Sequence, residues 1–258
     1  MTSIQGFKGD IYQAGIITKY ELIKHFRSKK LYIFLILLGL VFGLTLAVFI
    51  SMGFPDTSDQ FIMIPMMICS FIMMIAAVLF AATALVSEFE ERTALLMFTR
   101  PVRKSTIVAG KFMASTIMTF AMAGIYFLVS AIISLAKYGE VNSGLPAAFA
   151  VALAGGLCYM GMAFLFSSFS KKGSTASLLT LVMNLIIISM ITALLGVAAP
   201  DTTLWFMPDY AMDAVFTALN IHSFNMGYAE VMTSIGVLVA WAAGTLGAGY
   251  VVFRRREF

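Results

Sequence analysis

The sequence predicts an all-α membrane protein: six transmembrane helices, an N-terminal interfacial helix, a short cytoplasmic helix, and re-entrant or interfacial half-helices on the outer side. Three observations carry this. Hydrophobic residues make up 60% of the 258 positions and charged ones only 12%, against roughly 25% charge in soluble domains. Six runs are long and apolar enough to cross roughly 30 Å of hydrocarbon at about 1.5 Å per helical residue. The cations, finally, collect between alternate runs. The apolar runs are continuous, where barrel strands would alternate every second residue, so the pattern is helical.

The elements follow in order along one transmembrane domain, residues 1–258. Residues 1–30 read as a helix lying on the inner surface. Tyr12, Ile16, Tyr20 and Ile23 recur at helical spacing, with Thr18, Glu21 and His25 opposite them. Lys19 and Arg27 interrupt the apolar arc and can snorkel to headgroups. The spans are expected at about 31–51, 61–86, 107–136, 146–169, 174–199 and 231–253. The first apolar run starts too late and runs too long for a cleaved signal core. With the N-terminus placed inside, sixteen of the seventeen Lys and Arg fall on inner segments and Lys137 alone falls outside. That asymmetry puts both termini in the cytoplasm. It also accounts for the net charge of +4 by topology, so nucleic acid is not expected as a partner. Cys69 and Cys158 both lie inside apolar runs and read as small packing residues.

Few polar residues interrupt the spans. Asn184, with Thr180 and Ser189, suits either helix–helix hydrogen bonding or the lining of a translocation path. Gly39 and Gly43 form a GxxxG in the first span. Nineteen Met residues scattered through the spans suggest adaptable packing rather than a soft-metal path. The outer segment 200–230 is too broken to cross and rich in aromatics, with Trp205, Phe206 and Tyr210 among them. It reads as half-helices broken near Pro208, serving either as an aromatic belt at the headgroups or as an outer gate.

The densest charge lies in the cytoplasmic loop 87–106. Ser87 and Glu90 have capping-box spacing, and Glu88, Glu90 and Glu91 sit where a helix dipole favours carboxylates. The helix runs on through Leu95, Leu96 and Phe98 until Pro101 stops it. Ser105 can then cap the third span, with Lys111 snorkelling at its base. Apolar residues surround most of this helix while acidic and basic ends flank it, a layout suited to docking on another protein.

The succession Glu88-Phe-Glu-Glu91-Arg92-Thr93, Leu95-Leu96, Thr99-Arg100-Pro101-Val102-Arg103 and Gly110-Lys111 resembles the first inner loop of type-2 ATP-binding-cassette permeases. The likeness extends to the inner amphipathic helix, the six spans, the second inner loop "FSKKGST" and the tail "FRRREF". It implies a permease subunit, an exporter in the prokaryotic plasma membrane, in which this loop is a coupling helix seated on ATP-binding-cassette ATPase subunits. By the resemblance that role falls to Ser87, Glu88, Glu91, Arg92, Thr93, Leu96 and Arg100. Arg92 stands where the family commonly has glycine. Six spans imply half a translocation unit, completed by a second permease copy or paralogue within the lipid bilayer.

The sequence carries no GxxxxGK[ST] phosphate loop, since Ser105 precedes and Phe112 follows Gly110-Lys111 where glycine and Ser or Thr are needed. ATP and Mg are accordingly expected on the partner ATPase, with no cofactor or metal bound directly. Two rival classes are weighed against the transporter. An intramembrane protease, metal or serine type, would need His near its Glu or Ser, yet His25 and His222 fall on opposite sides of the bilayer and no GxSxG occurs. A scaffold for assembling another membrane complex would function without ATP. Nearly charge-free spans favour an amphipathic or apolar cargo over a naked ion.

Overall fold

The computed structural model describes residues 7–90, 103–198, 203–221 and 229–255, and the side chains of Phe7, Lys8, Glu88 and Phe89 are not among what it describes. Every described element is helical. In chain order these are α1 (Phe7–Arg27), α2 (Lys29–Met52), α3 (Ser58–Ala81), α4 (Val86–Glu90), α5 (Lys104–Tyr138), α6 (Leu145–Phe169) and α7 (Gly173–Val182). A π-helical segment (Met183–Ile188) follows, then α8 (Ser189–Ala198), α9 (Pro208–Met212), α10 (Ala214–Ala218) and α11 (Val231–Arg255). Among the described residues six stretches are long and apolar enough to span a membrane: α2, α3, α5, α6, the continuous rod Gly173–Ala198, and α11. They are called the first to sixth spans below.

The fourth span is the centre of the bundle and packs against the second, third and sixth. Its residues are small where helices approach. A Cβ on Gly161 would lie 2.8 Å from the Ala242 carbonyl oxygen, so only glycine lets the sixth span come this close. Gly39 and Gly43, by contrast, have nothing within 4 Å of where their Cβ would stand, so this GxxxG packs against no helix among the described residues. Hydroxyl bonds tie the spans together. Ser70 and Tyr159 share one of 2.6 Å, Ser58 and Ser134 one of 2.7 Å, and Ser115 donates to the Phe80 carbonyl at 2.9 Å. Tyr126 donates to the Pro65 carbonyl.

The second span ends in turns at residues 82–85 before α4 begins. A helix that restarts leaves N–H groups without partners. Ser167 of the fourth span fills that need, its hydroxyl accepting from the N–H groups of Leu85 and Val86 at 3.1 Å each. The expected capping box between Ser87 and Glu90 is therefore not formed. Ser87 already lies within α4 and donates to the Ala84 carbonyl, while Glu90 turns to another helix altogether. A cap from a neighbouring helix replaces the local one because the fourth span packs directly beneath the break.

At the opposite end, Pro208 opens α9 at its first position, where its missing N–H leaves no bond unmade. Pro208 is thus a helix starter rather than the expected breaker. Ser105 likewise sits inside α5, whose N-cap is Arg103.

Candidate functional site

Two polar regions stand apart along the bundle. The first gathers α1, the starts of the first and third spans, α4 and the start of the fifth span. α1 crosses the third span at Gly110, where a Cβ would lie 2.8 Å from the Ile17 side chain and 2.9 Å from the Ala14 carbonyl oxygen. Thr18 bridges the crossing by bonding both the Ala14 and the Gly110 carbonyls, at 2.8 and 3.1 Å. One turn on, Glu21 pairs with Lys111, whose side chain is fully buried. Lys111 therefore does not snorkel. α1 lies over it and supplies the carboxylate that a buried ammonium requires.

The orientation of α1 follows from these contacts. Thr18, Glu21 and His25 face the bundle, while Tyr12, Ile16, Tyr20 and Ile23 are on the open side. A soluble protein would turn the apolar face inward; here it faces outward beside the exposed flank of the first span, as at a lipid interface. His25 packs edge-on against Phe80, with centroids 5.5 Å apart. Burial, opposed by Glu21 and reinforced by Lys30, Lys111 and Lys24, holds its pKa down to about 4, so the imidazole is neutral at pH 7.

Around these groups lies a cavity of about 260 Å³, lined by Glu21, Lys24, His25, Lys30, Thr83 and Glu90 among others. Lys30 donates to the Thr83 hydroxyl across it. Glu90 accepts a 3.0 Å hydrogen bond from the backbone N–H of Gly173, the first residue of the fifth span. Arg103 forms a 2.9 Å ion pair with Asp10, and Lys104 reaches the Arg254 carbonyl at 3.3 Å. The loop residues expected to couple to a partner are bracketed by these contacts. Ser87 lies in α4 on the cavity wall. The side chain of Glu88, and all of Glu91, Arg92, Thr93, Leu96 and Arg100, lie outside the described residues.

The second region lies where the fifth span meets α9, α10 and the second span. A cavity of about 300 Å³ is lined there by Ser70, Ser189, Thr192, Asp209, Tyr210 and Asp213, with Met66, Met67, Cys69 and Met212 as its sulfur-bearing wall. Ser189 donates to the Asp209 carboxylate at 2.7 Å. Burial raises the Asp209 pKa against the help of that hydroxyl, and burial together with Asp209 raises Asp213 to about 6. The structure thus brings two of the candidate path and gate residues, Ser189 and Tyr210, into one cavity. Asn184 and Thr180 are buried but bond within their own helix: Asn184 Nδ2 donates to the Thr180 carbonyl at 2.8 Å, and Thr180 to that of Ala176. Asn184 Oδ1 has no partner among the described residues. Trp205 and Phe206 are exposed, and the Phe206 carbonyl accepts from the Trp241 indole at 2.8 Å.

Asp209 and Asp213 were not singled out from the sequence. Their signal was present: Asp209 directly follows Pro208, and Asp213 lies one helical turn further on, within an otherwise uncharged aromatic stretch. Among the described residues no three His, Cys, Asp or Glu side chains gather as a metal site.

A family profile described as "ABC-2 family transporter protein" matches residues 16–258, nearly the whole chain. No curated protein matches it.

Proposed function

Given that the chain belongs to the ABC-2 transporter family, a family of multi-pass, non-enzymatic transport subunits, we propose that it is the permease of an exporter driven by a separate ATPase. The observation that carries this reading is the family match over residues 16–258, from α1 through the sixth span. The arrangement at the basic end supports it. There the segment 91–102 is bracketed by α4 and Arg103, which are tied to the fifth span and to α1. A force applied to that segment has two direct routes into the bundle.

In this reading the termini and the loop 87–106 are cytoplasmic, and Ser87, Glu88, Glu91, Arg92, Thr93, Leu96 and Arg100 form the seat for the ATPase. ATP and Mg bind to the ATPase and not to this chain. A second permease, identical or paralogous, completes the translocation unit across the exposed apolar faces. The cavity holding Ser189, Asp209, Tyr210 and Asp213 lies on the outer side of the span middles and forms part of the cargo route. ATP closes the two ATPases, the seated loops move, and the spans exchange one arrangement for another. Such a cycle requires that ATP binding favour one arrangement by a real difference in contact energy.

Co-expression with its cognate ATPase tests the proposal. The two should copurify and hydrolyse ATP in lipid nanodiscs at a rate that depends on the permease. Reversing two charges (Glu88→Lys with Glu91→Lys) should weaken association about tenfold or more, the equivalent of ~1.4 kcal/mol. Unaltered association and ATPase stimulation in that variant would overturn the assigned role of the loop.

A further inference from the structure

The fifth span differs from its neighbours in how it is held. Among the described residues its side-chain hydrogen bonds to other elements are two. Glu90 caps Gly173 at one end, and Ser189 bonds Asp209 beyond its middle. Gly173 is also pinned sterically, since a Cβ there would lie 3.2 Å from the Thr83 methyl and 3.3 Å from the Glu90 carboxylate. Between the two attachment points runs the π-helical segment Met183–Ile188.

That segment is a joint. A π segment holds one residue more than the α-helix it interrupts, and each α-helical residue contributes about 100° of turn and 1.5 Å of rise. Relaxing it to α geometry would rotate Ser189 and Thr192 by about 100° relative to Gly173. Both residues line the cavity with Asp209 and Asp213. The Ser189 hydroxyl also bonds the Asn184 carbonyl at 3.3 Å, inside the π segment, so the joint and the cavity wall share one side chain.

We propose that Glu90 is the positioning residue that transmits motion of the coupling loop to the fifth span, and that the π segment converts it into rotation of Ser189 and Thr192 at the cavity. This rests on the reading of the chain as an ATPase-driven permease. Glu90 is the last described residue of α4, next to the segment that receives the force. Its carboxylate holds the N-terminal N–H of the fifth span, and that rod is otherwise weakly embedded. Moving Glu90 therefore displaces the fifth span before the packed spans.

Cys69 offers a readout that needs no knowledge of the cargo. It stands on the cavity wall with Ser189 and Thr192, and the chain has one other cysteine, Cys158. The complete complex with its ATPase, carrying Cys158→Ala, is placed in nanodiscs, and alkylation of Cys69 by N-ethylmaleimide is timed with and without ATP plus vanadate. ATP should change the rate at least threefold. Glu90→Ala should erase that change while the ATPase still copurifies, and Glu90→Gln, whose amide oxygen can still accept from Gly173, should keep most of it. Gly173→Pro, combined with Thr83→Ser to clear the methyl that its Cβ would meet, removes the donor at a helix-start position that tolerates proline, and it should reproduce the Glu90→Ala result, serving also if Glu90→Ala does not fold.

A full ATP response in Glu90→Ala or in Gly173→Pro overturns the proposal. So does loss of the response in Glu90→Gln equal to that in Glu90→Ala, since charge rather than the cap would then be responsible. An ATPase that copurifies but leaves Cys69 of the parent protein unresponsive overturns it as well. Absence of any ATPase association in the parent protein instead refutes the permease reading itself.

Discussion

The fourth and fifth spans have almost the same length, 25 and 26 residues, yet 67% of the fourth span's apolar window is buried in the subunit and only 17% of the fifth's. The less buried span is the more apolar, with a mean hydropathy of 2.5 against 1.9. In water that order would be reversed. In a bilayer the lipid is as apolar as a side chain, so burial goes to the helix that packs closely through small residues, and the more apolar of these two is left facing outward. The fourth span carries Gly155, Gly156, Gly161, Ala152 and Ala163 in its buried face. The fifth carries Leu, Ile and Met around most of its circumference. One is a fixed post and the other a rod attached at few points.

The largest effect is expected where the post is packed. Phe164 is buried and meets Phe112 edge-on, with centroids 5.3 Å apart. Phe164→Ala leaves a cavity between the third and fourth spans and should cost about 3–5 kcal/mol, read by SDS titration in mixed micelles. A loss under about 1 kcal/mol would mean that the fourth span is not the fixed element of the comparison.

A smaller effect is expected from the carboxylates beside the fifth span. Asp213 has its pKa raised from 3.8 to about 6 by burial and by Asp209. A raised folded-state pKa favours the protonated form, so this contribution to stability is complete below about pH 4. It is lost as the pH rises to about 6 and is absent at pH 7. Asp213→Asn removes the dependence. Because the side chain is only partly buried, the difference between the two proteins should change by about 1–2 kcal/mol between pH 4 and 7. Parallel pH profiles would place Asp213 in contact with solvent and open the cavity at that side.

How much of this was legible in the sequence differs between the two spans. Both were visible as helices, because hydropathy over about 20 residues is a strong signal. The packing of the fourth was hinted at by its small residues. The joint in the fifth was not, since Met183-Asn-Leu-Ile-Ile-Ile188 contains nothing that distinguishes π from α geometry. Lys111 shows the same limit. Seen alone at the base of a span it should snorkel, and only the folding of α1 across Gly110 brings Glu21 to it. Local spacing pairs Glu90 with Ser87, three residues away. Its actual partner, Gly173, is 83 residues distant. Periodicity and spacing report what a residue can do within its own helix, whereas the candidate site is made almost entirely of contacts between helices.

The smallest effect is the sharpest test of the comparison. Ile186 lies on the open side of the π segment, 57% exposed. If the fifth span is a loosely held rod, truncating it there removes little from the fold of one subunit. Ile186→Ala should shift the stability of the isolated chain by under about 0.5 kcal/mol, as at ordinary exposed positions. The same substitution weakens self-association if a second permease copy covers this face, because the lost contacts are then intermolecular. Stability of the isolated chain and dimer fraction in nanodiscs, measured on one preparation, separate the two. A large loss of stability without any change in association would show that the fifth span is packed within its own subunit more tightly than its exposed face implies, and the distinction between post and rod would fall.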